Sequence, residues 1–131
     1  MGSTAIDTRS ATVDAIDAKG RFLGGLIVPG FAMMQRTLQL DTAGLKVLTG
    51  EVVDFPTNTS DALMTGGSSA IAGAIERQHR KLRRHTGLPP LLYTTGGAAV
   101  KLAPITDLQV ETADPLILHG LLQIQSHPLA L

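Results

Sequence analysis

A long helix over residues 59–85 is the most strongly patterned element of this sequence. Asn58 and the two hydroxyl residues after it are types that cap helix N-termini, and Asp61 stands in the first turn, where the helix dipole favours an acid. The pattern ends in a basic turn before Gly87 and two prolines, a combination that stops helices. Any fold proposed for the chain must accommodate this helix.

The apolar face of this helix has few large side chains. Leucine and isoleucine stand at Leu63, Ile71, Ile75 and Leu82, but the positions between them are mostly glycine, serine and alanine. Each glycine inside a helix costs about 1 kcal/mol relative to alanine. Because several glycines are present, we expect the helix backbone to pack closely against another element, such as a second subunit.

Composition narrows the class of protein. The 131 residues are enough for one domain, and 44% of them are hydrophobic, which argues against disorder. Eleven basic residues balance eleven acidic ones and only 3% are aromatic, so a general affinity for nucleic acid or anionic lipid is not expected. The absence of cysteine excludes disulfides and thiolate chemistry. No apolar run approaches the roughly 20 residues of a membrane span, and residues 1–9 lack a signal-peptide pattern, so we expect a cytoplasmic protein.

The remaining elements mix strands and helices, which predicts an α/β fold. Alternating apolar residues over 12–17, a Lys-Gly turn and an apolar run over 21–28 predict a β-hairpin. A loop with little regular structure is expected over 41–57. The other expected elements are a short helix over 31–40, a strand over 91–94, a brief helical stretch over 98–102, an edge strand over 107–111 and a last helix over 116–125, opened by Asp114-Pro115.

Two pairs of adjacent glycines, Gly24-Gly25 and Gly96-Gly97, stand near predicted strands. Gly24-Gly25 interrupts the second hairpin strand, and Pro29-Gly30 ends it. The first pair fits either a β-bulge or the close approach of a ligand to bare backbone. Thr94-Thr95-Gly96-Gly97 leads from a strand into a helix start, where anions and nucleotides bind, although diglycine turns also occur without a ligand.

Other chemistry-bearing residues form no motif. Residues 56–60 could bind a polar ligand or only cap the helix. The basic run over 77–84 is more typical of a solvated helix end than of a nucleic-acid contact. Asp14, Asp17 and Asp61 have no spacing that selects a general base, and the serine-nucleophile, P-loop and dinucleotide motifs are missing from the sequence.

Taken in order, five segments resemble the type III pantothenate kinases. Residues 12–14 are similar to the end of the D-x-G-T-A-x-T-[IV]-D strand of that family, and residues 20–30 to its G-x-[FY]-x-G-G-x-I-x-P-G segment. Residues 56–59 with the glycine-rich helix resemble P-x-[ND]-T…G, residues 95–97 the late T-G-G, and residues 116–121 the closing L-x-x-x-G-L helix. The resemblance covers most of the chain.

This resemblance implies the actin-like ATPase fold, in which residues 1–131 form the second of two ribonuclease H-like domains, a mixed sheet with flanking helices. The implied reaction phosphorylates pantothenate to 4′-phosphopantothenate, the first step of coenzyme A biosynthesis. It uses ATP with Mg²⁺ and a monovalent cation, K⁺ or NH4⁺. The resemblance also implies a homodimer, with residues 62–75 as the dimer face, and neither a nucleic-acid nor a membrane partner.

The resemblance further implies a role for individual residues. Those expected at the pantothenate site are Gly24, Gly25, Ile27 and Gly30, together with Thr59, which would reach the site of the partner subunit. Those expected to contact ATP are Thr12, Gly96 and Gly97. Asp7 is expected to hold the monovalent cation.

The chain departs from the family pattern at its start. Residues 6–11 (IDTRSA) stand where the family has acid-x-Gly-Thr-Ala-x, which puts Asp7 one residue out of register; alternatively, residues 1–5 (MGSTA) are a displaced copy of that loop. We therefore expect residues 1–11 to be altered, through a tag or a truncated gene.

Two further family motifs are missing from this sequence. They are the D-x-G-N-[TS] phosphate loop and the G-x-D-R segment, whose aspartate is the general base. Phosphoryl transfer depends on both contributions. We therefore expect an inactive half of the kinase, with a non-catalytic ribonuclease H-like module for dimerisation or ligand binding as the alternative.

Overall fold

A computed structural model describes residues 2–6, 9–41, 49–96, 104, 106–113 and 116–126, with only the backbone described for 2–6, 116 and 117. Five strands form one mixed sheet: β1 (Gly2–Ile6), β2 (Ser10–Ile16), β3 (Phe22–Pro29), β4 (Leu92–Thr95) and β5 (Val110–Thr112). Three helices are present in the described ranges: α1 (Phe31–Asp41), α2 (Thr59–Thr86) and α3 (Leu116–Ser126). The predicted α/β class is confirmed.

The strands lie in the order β3-β2-β1-β4-β5. β2 is antiparallel to both of its neighbours, whereas β1, β4 and β5 pair in parallel. As a result β1, β3, β4 and β5 all run in the same direction. Their carboxyl ends lie together at one edge of the sheet, which we call the carboxyl edge.

The central strand, β1, was not predicted from the sequence. Its residues Gly2–Ile6 include glycine, serine and alanine, which have low strand propensity. The strand forms because β2 pairs along one side of it and β4 along the other, so that both sides of its backbone find hydrogen-bond partners. This pairing joins residues about 90 positions apart, which no local pattern reveals.

The predicted hairpin of β2 and β3 is confirmed, and Asp17 closes its turn. The Asp17 carboxylate accepts hydrogen bonds from the backbone N–H groups of Lys19 and Arg21, both at 2.9 Å, and from Arg21 Nε at 2.8 Å. Three further elements, the short helix α1, the strand β4 and the final helix α3, agree with their predicted positions to within one residue, where described.

One predicted strand starts late. β5 begins at Val110 instead of residue 107. The N–H of Leu108 donates to Thr106 Oγ1 at 3.3 Å, a local turn bond that competes with strand pairing. The predicted helical stretch over 98–102 and the Asp114-Pro115 helix start lie outside the described residues.

Both ends of α2 are capped as the sequence predicts. Among the three candidate caps, Asn58 is the N-cap, and its side chain accepts a hydrogen bond from the N–H of Asp61. At the other end Gly87 adopts the left-handed conformation with φ +71°, and its N–H donates to the carbonyl of Arg83 at 2.9 Å.

The core lies between α2 and one face of the sheet. Ile71 and Ile75 of α2 are buried against Ala11, Val13 and Leu92 of the strands. Partly buried side chains from β3, α1 and β5 extend this cluster. By contrast, every described side chain of α3, from Leu118 onward, is exposed. Among the described residues, none of the helices has the length and apolar character needed to cross a membrane.

Candidate functional site at the carboxyl edge of the sheet

Within the described ranges, the sheet face opposite α2 carries exposed and half-buried side chains, and we call it the open face. Side chains alternate between the two faces of a strand, so residues next to the buried Ala11 and Val13 point away from the core. Thr12 pairs directly with Ile27, and Thr12 and Thr95 each pair with the same residue of β1. Thr12, Ile27 and Thr95 therefore form one row across the open face, and Ile27 is 82% exposed.

The carboxyl edge borders this row. Gly30 directly follows β3, and its N–H donates to the carbonyl of Arg9, in the turn between β1 and β2, at 2.9 Å. Gly96 follows β4 with φ +97°, a conformation that L side chains rarely adopt. Open α/β sheets bind ligands beyond the carboxyl ends of their strands. The structure thus places Thr12, Ile27, Gly30 and Gly96 at or next to the carboxyl edge, with Gly30 buried and with β3 and β4 three strand spacings apart, roughly 14 Å. Asp7 and Gly97 lie outside the described residues.

The Gly24-Gly25 pair lies toward the other end of β3. Gly24 has φ +139° and pairs with Ala15, while Ile16 pairs with Phe22, which leaves Leu23 as the extra residue of a β-bulge. The bulge alternative from the sequence is therefore confirmed for Gly24. A Cβ on Gly25 would meet the carboxylate of Asp14, so a residue of the neighbouring strand already fills part of the space that a side chain would need.

Gly24 and Gly25 also line an open groove of about 520 Å³ between the hairpin and the end of α2. Its other walls include Leu23, Lys81 and His85. Both glycines therefore remain accessible to a ligand, but in a place separate from the carboxyl edge. The predicted pantothenate residues divide between these two places.

Thr59 is the first residue of α2 and is exposed. The groove beside Gly24 lies against Leu82, near the opposite end of the same helix. At 1.5 Å per residue the two positions are roughly 35 Å apart along α2. Within one chain, Thr59 and the Gly24-Gly25 pair cannot contact the same small molecule.

Asp61 links the start of α2 to the segment before it. Its carboxylate accepts hydrogen bonds from the N–H of Glu51 at 2.8 Å and from Asn58 Nδ2 at 2.6 Å. The bond from Glu51 has the larger effect, and together the two bonds hold the pKa of Asp61 below its ordinary value of 3.8. The charged form is thus favoured in the folded protein.

This shift predicts a pH-dependent contribution to stability. Because the folded pKa lies below the unfolded one, the contribution is complete above about pH 5 and is lost as the pH falls through the folded pKa. We expect the difference in unfolding free energy between the wild type and Asp61→Ala to be constant from about pH 5 to 7 and to shrink below about pH 4. Urea unfolding at a series of pH values measures it, with Asp54→Ala as control; a difference unchanged at pH 3 would contradict this.

Thr94 carries a buried hydroxyl without a partner. It is 0% exposed, and its Oγ1 makes no hydrogen bond within the described structure. A buried hydroxyl left unpaired costs on the order of 1–3 kcal/mol. Thr94 lies on the core face of β4, two residues before Gly96, so the unpaired hydroxyl is close to the carboxyl edge.

Replacing this hydroxyl with a methyl group should stabilise the protein. We expect Thr94→Val to raise the unfolding free energy by about 1 kcal/mol, since the shape is kept and the unpaired group removed. The matched control is Thr86→Val, which removes a hydroxyl that donates to the carbonyl of Leu82 at 2.9 Å. That variant should be destabilised by about 1 kcal/mol. Equal losses in both variants would show that Thr94 has a partner.

Sequence reasoning did not bring together three polar residues of the open face, of which only Asp14 had been considered, as a candidate general base. Asp14 pairs with Gly25 on β3, Asp14 and Tyr93 each pair with the same residue of β1, and Tyr93 pairs with Glu111 on β5. Asp14, Tyr93 and Glu111 therefore lie in one row with Gly25. No spacing along the chain could have identified this row, which depends on cross-strand register. Among the described residues no three of the metal-ligating types come together, and His79 is engaged by the carbonyl of Pro90 at 3.2 Å.

Comparison with known proteins agrees with this architecture. Residues 5–81 match the family model of type III pantothenate kinases. A type III pantothenate kinase of Methylibium petroleiphilum is 57% identical over 124 residues, which are 95% of this chain and 47% of that protein. One of Leptothrix cholodnii is 54% identical over 121 residues, 92% of this chain and 46% of that protein.

Among solved structures, one described as a Baf family transcriptional activator from Campylobacter jejuni superposes with a TM-score of 0.72 and 26% identity, over 97% of this chain and 58% of that one. The fold expectation, a ribonuclease H-like domain of the actin-like ATPase fold, is confirmed. The chain spans about half the length of the curated relatives it matches. Since the family model covers more than half of its residues, the chain belongs to the type III pantothenate kinase family.

Proposed function

We propose that this chain contributes one half of an ATP-dependent pantothenate kinase. In that reaction the pantothenate hydroxyl gives up its proton to a general base, its oxygen bonds to the γ-phosphorus of ATP, and the bond from this phosphorus to ADP breaks. The observation that carries the proposal is the position of Thr12, Ile27, Gly30 and Gly96 along the carboxyl edge of the open face. These residues come from three separate parts of the sequence, and the family resemblance implies a binding role for each of them. The cytoplasm is the expected location.

The nucleotide is assigned to the β4 end of this edge. Gly96 has bare backbone in a left-handed turn, which lets a large planar or phosphate group approach the main chain. Thr12 supplies a hydroxyl one row in from the edge. Gly97 follows in sequence and is assigned to the same contact.

Pantothenate is assigned to the β3 side of the site. Ile27 and Gly30 lie at the carboxyl edge and carry this assignment. Gly24 and Gly25 line the separate groove beside α2, so their assignment to pantothenate remains a prediction from the family resemblance. Thr59, at the start of α2, is assigned by the same resemblance to the site of a partner subunit. A homodimer is therefore part of the proposal.

The described residues do not fit a cation site. Among the described residues, Asp14 and Glu111 are the carboxylates of the open face. Asp14 lies on β2 and Glu111 on β5, and the strands β1 and β4 lie between them. No group of three metal-ligating residues occurs in the described ranges. We therefore derive no step through Mg²⁺, K⁺ or NH4⁺, and the assignment of Asp7 to a monovalent cation remains a prediction.

These 131 residues alone are expected not to turn over, since the motif that carries the general base is missing from the sequence. The alternative, a non-catalytic module for dimerisation or ligand binding, is favoured by the exposed small residues of α2. Release of ADP in the presence of ATP, Mg²⁺, a potassium salt and pantothenate tests the point. Turnover above background would show that the base lies in this chain.

Substitution of Gly96 should weaken nucleotide binding selectively. Gly96→Ala places a Cβ in a left-handed turn at the proposed ATP contact, and we expect affinity for ATP to fall about tenfold. The matched control is Gly87→Ala. It forces alanine into the same left-handed backbone conformation, at φ +71°, but lies at the C-cap of α2. Calorimetric titration with ATP compares the two. Equal affinity in both variants would remove Gly96 from the site.

A further inference from the structure

The strand β3 has an open outer edge. It stands first in the order of the sheet and, among the described strands, pairs with β2 alone. Within the described ranges, the backbone N–H and C=O groups on its other side therefore have no strand partner. Its eight residues include no charge, and Phe22, Leu23 and Ile27 are exposed. Edge strands are usually short or charged, because a long apolar edge invites the addition of another strand.

The features that protect this edge lie at the two ends of the strand. The bulge at Leu23 interrupts β3 near the hairpin turn, and Pro29 ends it. Between them, residues 25–28 pair with β2 in regular register. A stretch of extended backbone about 13 Å long is thus left to pair with an added strand.

The same strand forms one wall of the groove of about 520 Å³ between the hairpin and the end of α2. Residues 23–26 line the strand side, which carries no charge, and Gln78, Lys81 and His85 line the helix side. A peptide that adds to a sheet edge gains affinity from main-chain hydrogen bonds and specificity from the pockets that its side chains enter. The edge of β3 offers the first and the groove offers the second.

The helix wall of the groove is basic. Residues 77–84 contain five of the eleven lysines and arginines of the chain and no acid, and no acid lines the groove. Among the described side chains, the ion pair present joins Arg21 to Asp17, and Lys81 takes no part in it. The charge that complements this wall is a carboxylate.

We propose that the groove binds an extended acidic peptide, which adds to the edge of β3 and directs its carboxylates toward Lys81 and His85. Side chains alternate along a strand, so every second residue of the peptide faces α2 and those between lie beside Ile27 on the open face. A peptide that alternates acidic and apolar residues fits both sides. A second copy of this chain paired through its own β3 would supply no carboxylate, because that strand has no charged residue. The inference does not rest on the proposed kinase reaction.

Fluorescence anisotropy with labelled six-residue peptides tests the proposal. The probe alternates glutamate and valine and should bind saturably below about 1 mM. A peptide that alternates lysine and valine should bind at least about tenfold more weakly, since its charges repel the helix wall.

Two modified probes test the pairing with the strand edge. One carries N-methyl groups on its valine amides and the other on its glutamate amides. Alternate residues of a strand direct their N–H groups to opposite sides, so only one of these two sets can face β3. We expect one modified probe to bind at least about tenfold more weakly, and the other to bind as the unmodified probe does.

Two protein variants locate the site, and circular dichroism confirms that each is folded. Lys81→Glu should weaken binding of the glutamate probe at least about tenfold. The matched control is Arg83→Glu, an equal change of charge at an exposed position of the same helix that does not line the groove. It should change the affinity by less than about twofold.

Four results would each overturn the proposal. They are no binding of the glutamate probe, equal binding of the lysine peptide, no effect of either N-methylation, and equal effects of Lys81→Glu and Arg83→Glu. Tighter binding of a single-stranded oligothymidylate than of the probe would overturn it too, by assigning the basic wall to nucleic acid. Because no ATP or pantothenate is present, each outcome is independent of the kinase proposal.

Discussion

Replacing Ile75 with alanine should lower the unfolding free energy by about 2–5 kcal/mol. Ile75 is 1% exposed and lies at the centre of the cluster between α2 and the sheet. The loss combines the missing burial of three carbons with the cavity they leave. A typical domain has only about 5–15 kcal/mol of stability, so this variant loses a large share of it.

Urea unfolding followed by circular dichroism measures the effect. Ile27→Ala is the matched control, since it makes the same change at a side chain that is 82% exposed on the open face. We expect the control to change stability by less than about 0.5 kcal/mol. Comparable losses at both positions would mean that the open face is covered in solution.

Gly50→Ala should also be strongly destabilising, with a loss of about 3 kcal/mol. A Cβ at Gly50 would collide with backbone atoms of Ser60 and Asp61, which cannot yield as a flexible side chain would. The segment would have to move away from α2, breaking the bonds from Glu51 to Asp61 and from Val53 to Thr65. Part of the stability of the α2 start depends on these contacts.

The same glycine-to-alanine change elsewhere provides the control. Gly120 lies inside α3, where an added Cβ meets nothing within 4 Å, and alanine there should leave stability unchanged or raise it by up to about 1 kcal/mol. Thermal unfolding of both variants compares them. If Gly50→Ala were as stable as Gly120→Ala, residues 50–53 would not pack on the helix in solution.

Local signals were enough to predict α2 and its caps. Asn58 and Gly87 act through hydrogen bonds within four residues, so their roles can be read from the neighbouring sequence. The hairpin around Asp17 is predictable for the same reason. The central strand β1 is different, because its partners are β2 and the distant β4.

The candidate site divides in the same way. Its glycines were found by their residue type and by their order along the chain, which resembles that of the family. The bulge at Gly24 was one of two alternatives that the sequence left open, and the strand pairing decides between them. The row of Asp14 with Tyr93 depends on the register between strands, which one sequence does not disclose. The distance between Thr59 and the Gly24-Gly25 groove depends on where α2 lies against the hairpin, and only the fold reveals it.

The central claim is that the carboxyl edge of the open face binds the nucleotide. An NMR titration of the uniformly ¹⁵N-labelled chain with ATP tests it most directly, because each backbone amide reports separately. The account predicts that the largest shifts fall on Thr12 and Gly96, the described residues assigned to the nucleotide. Shifts confined to the groove of Gly24, Lys81 and His85, or no shifts at saturating ATP, would contradict it.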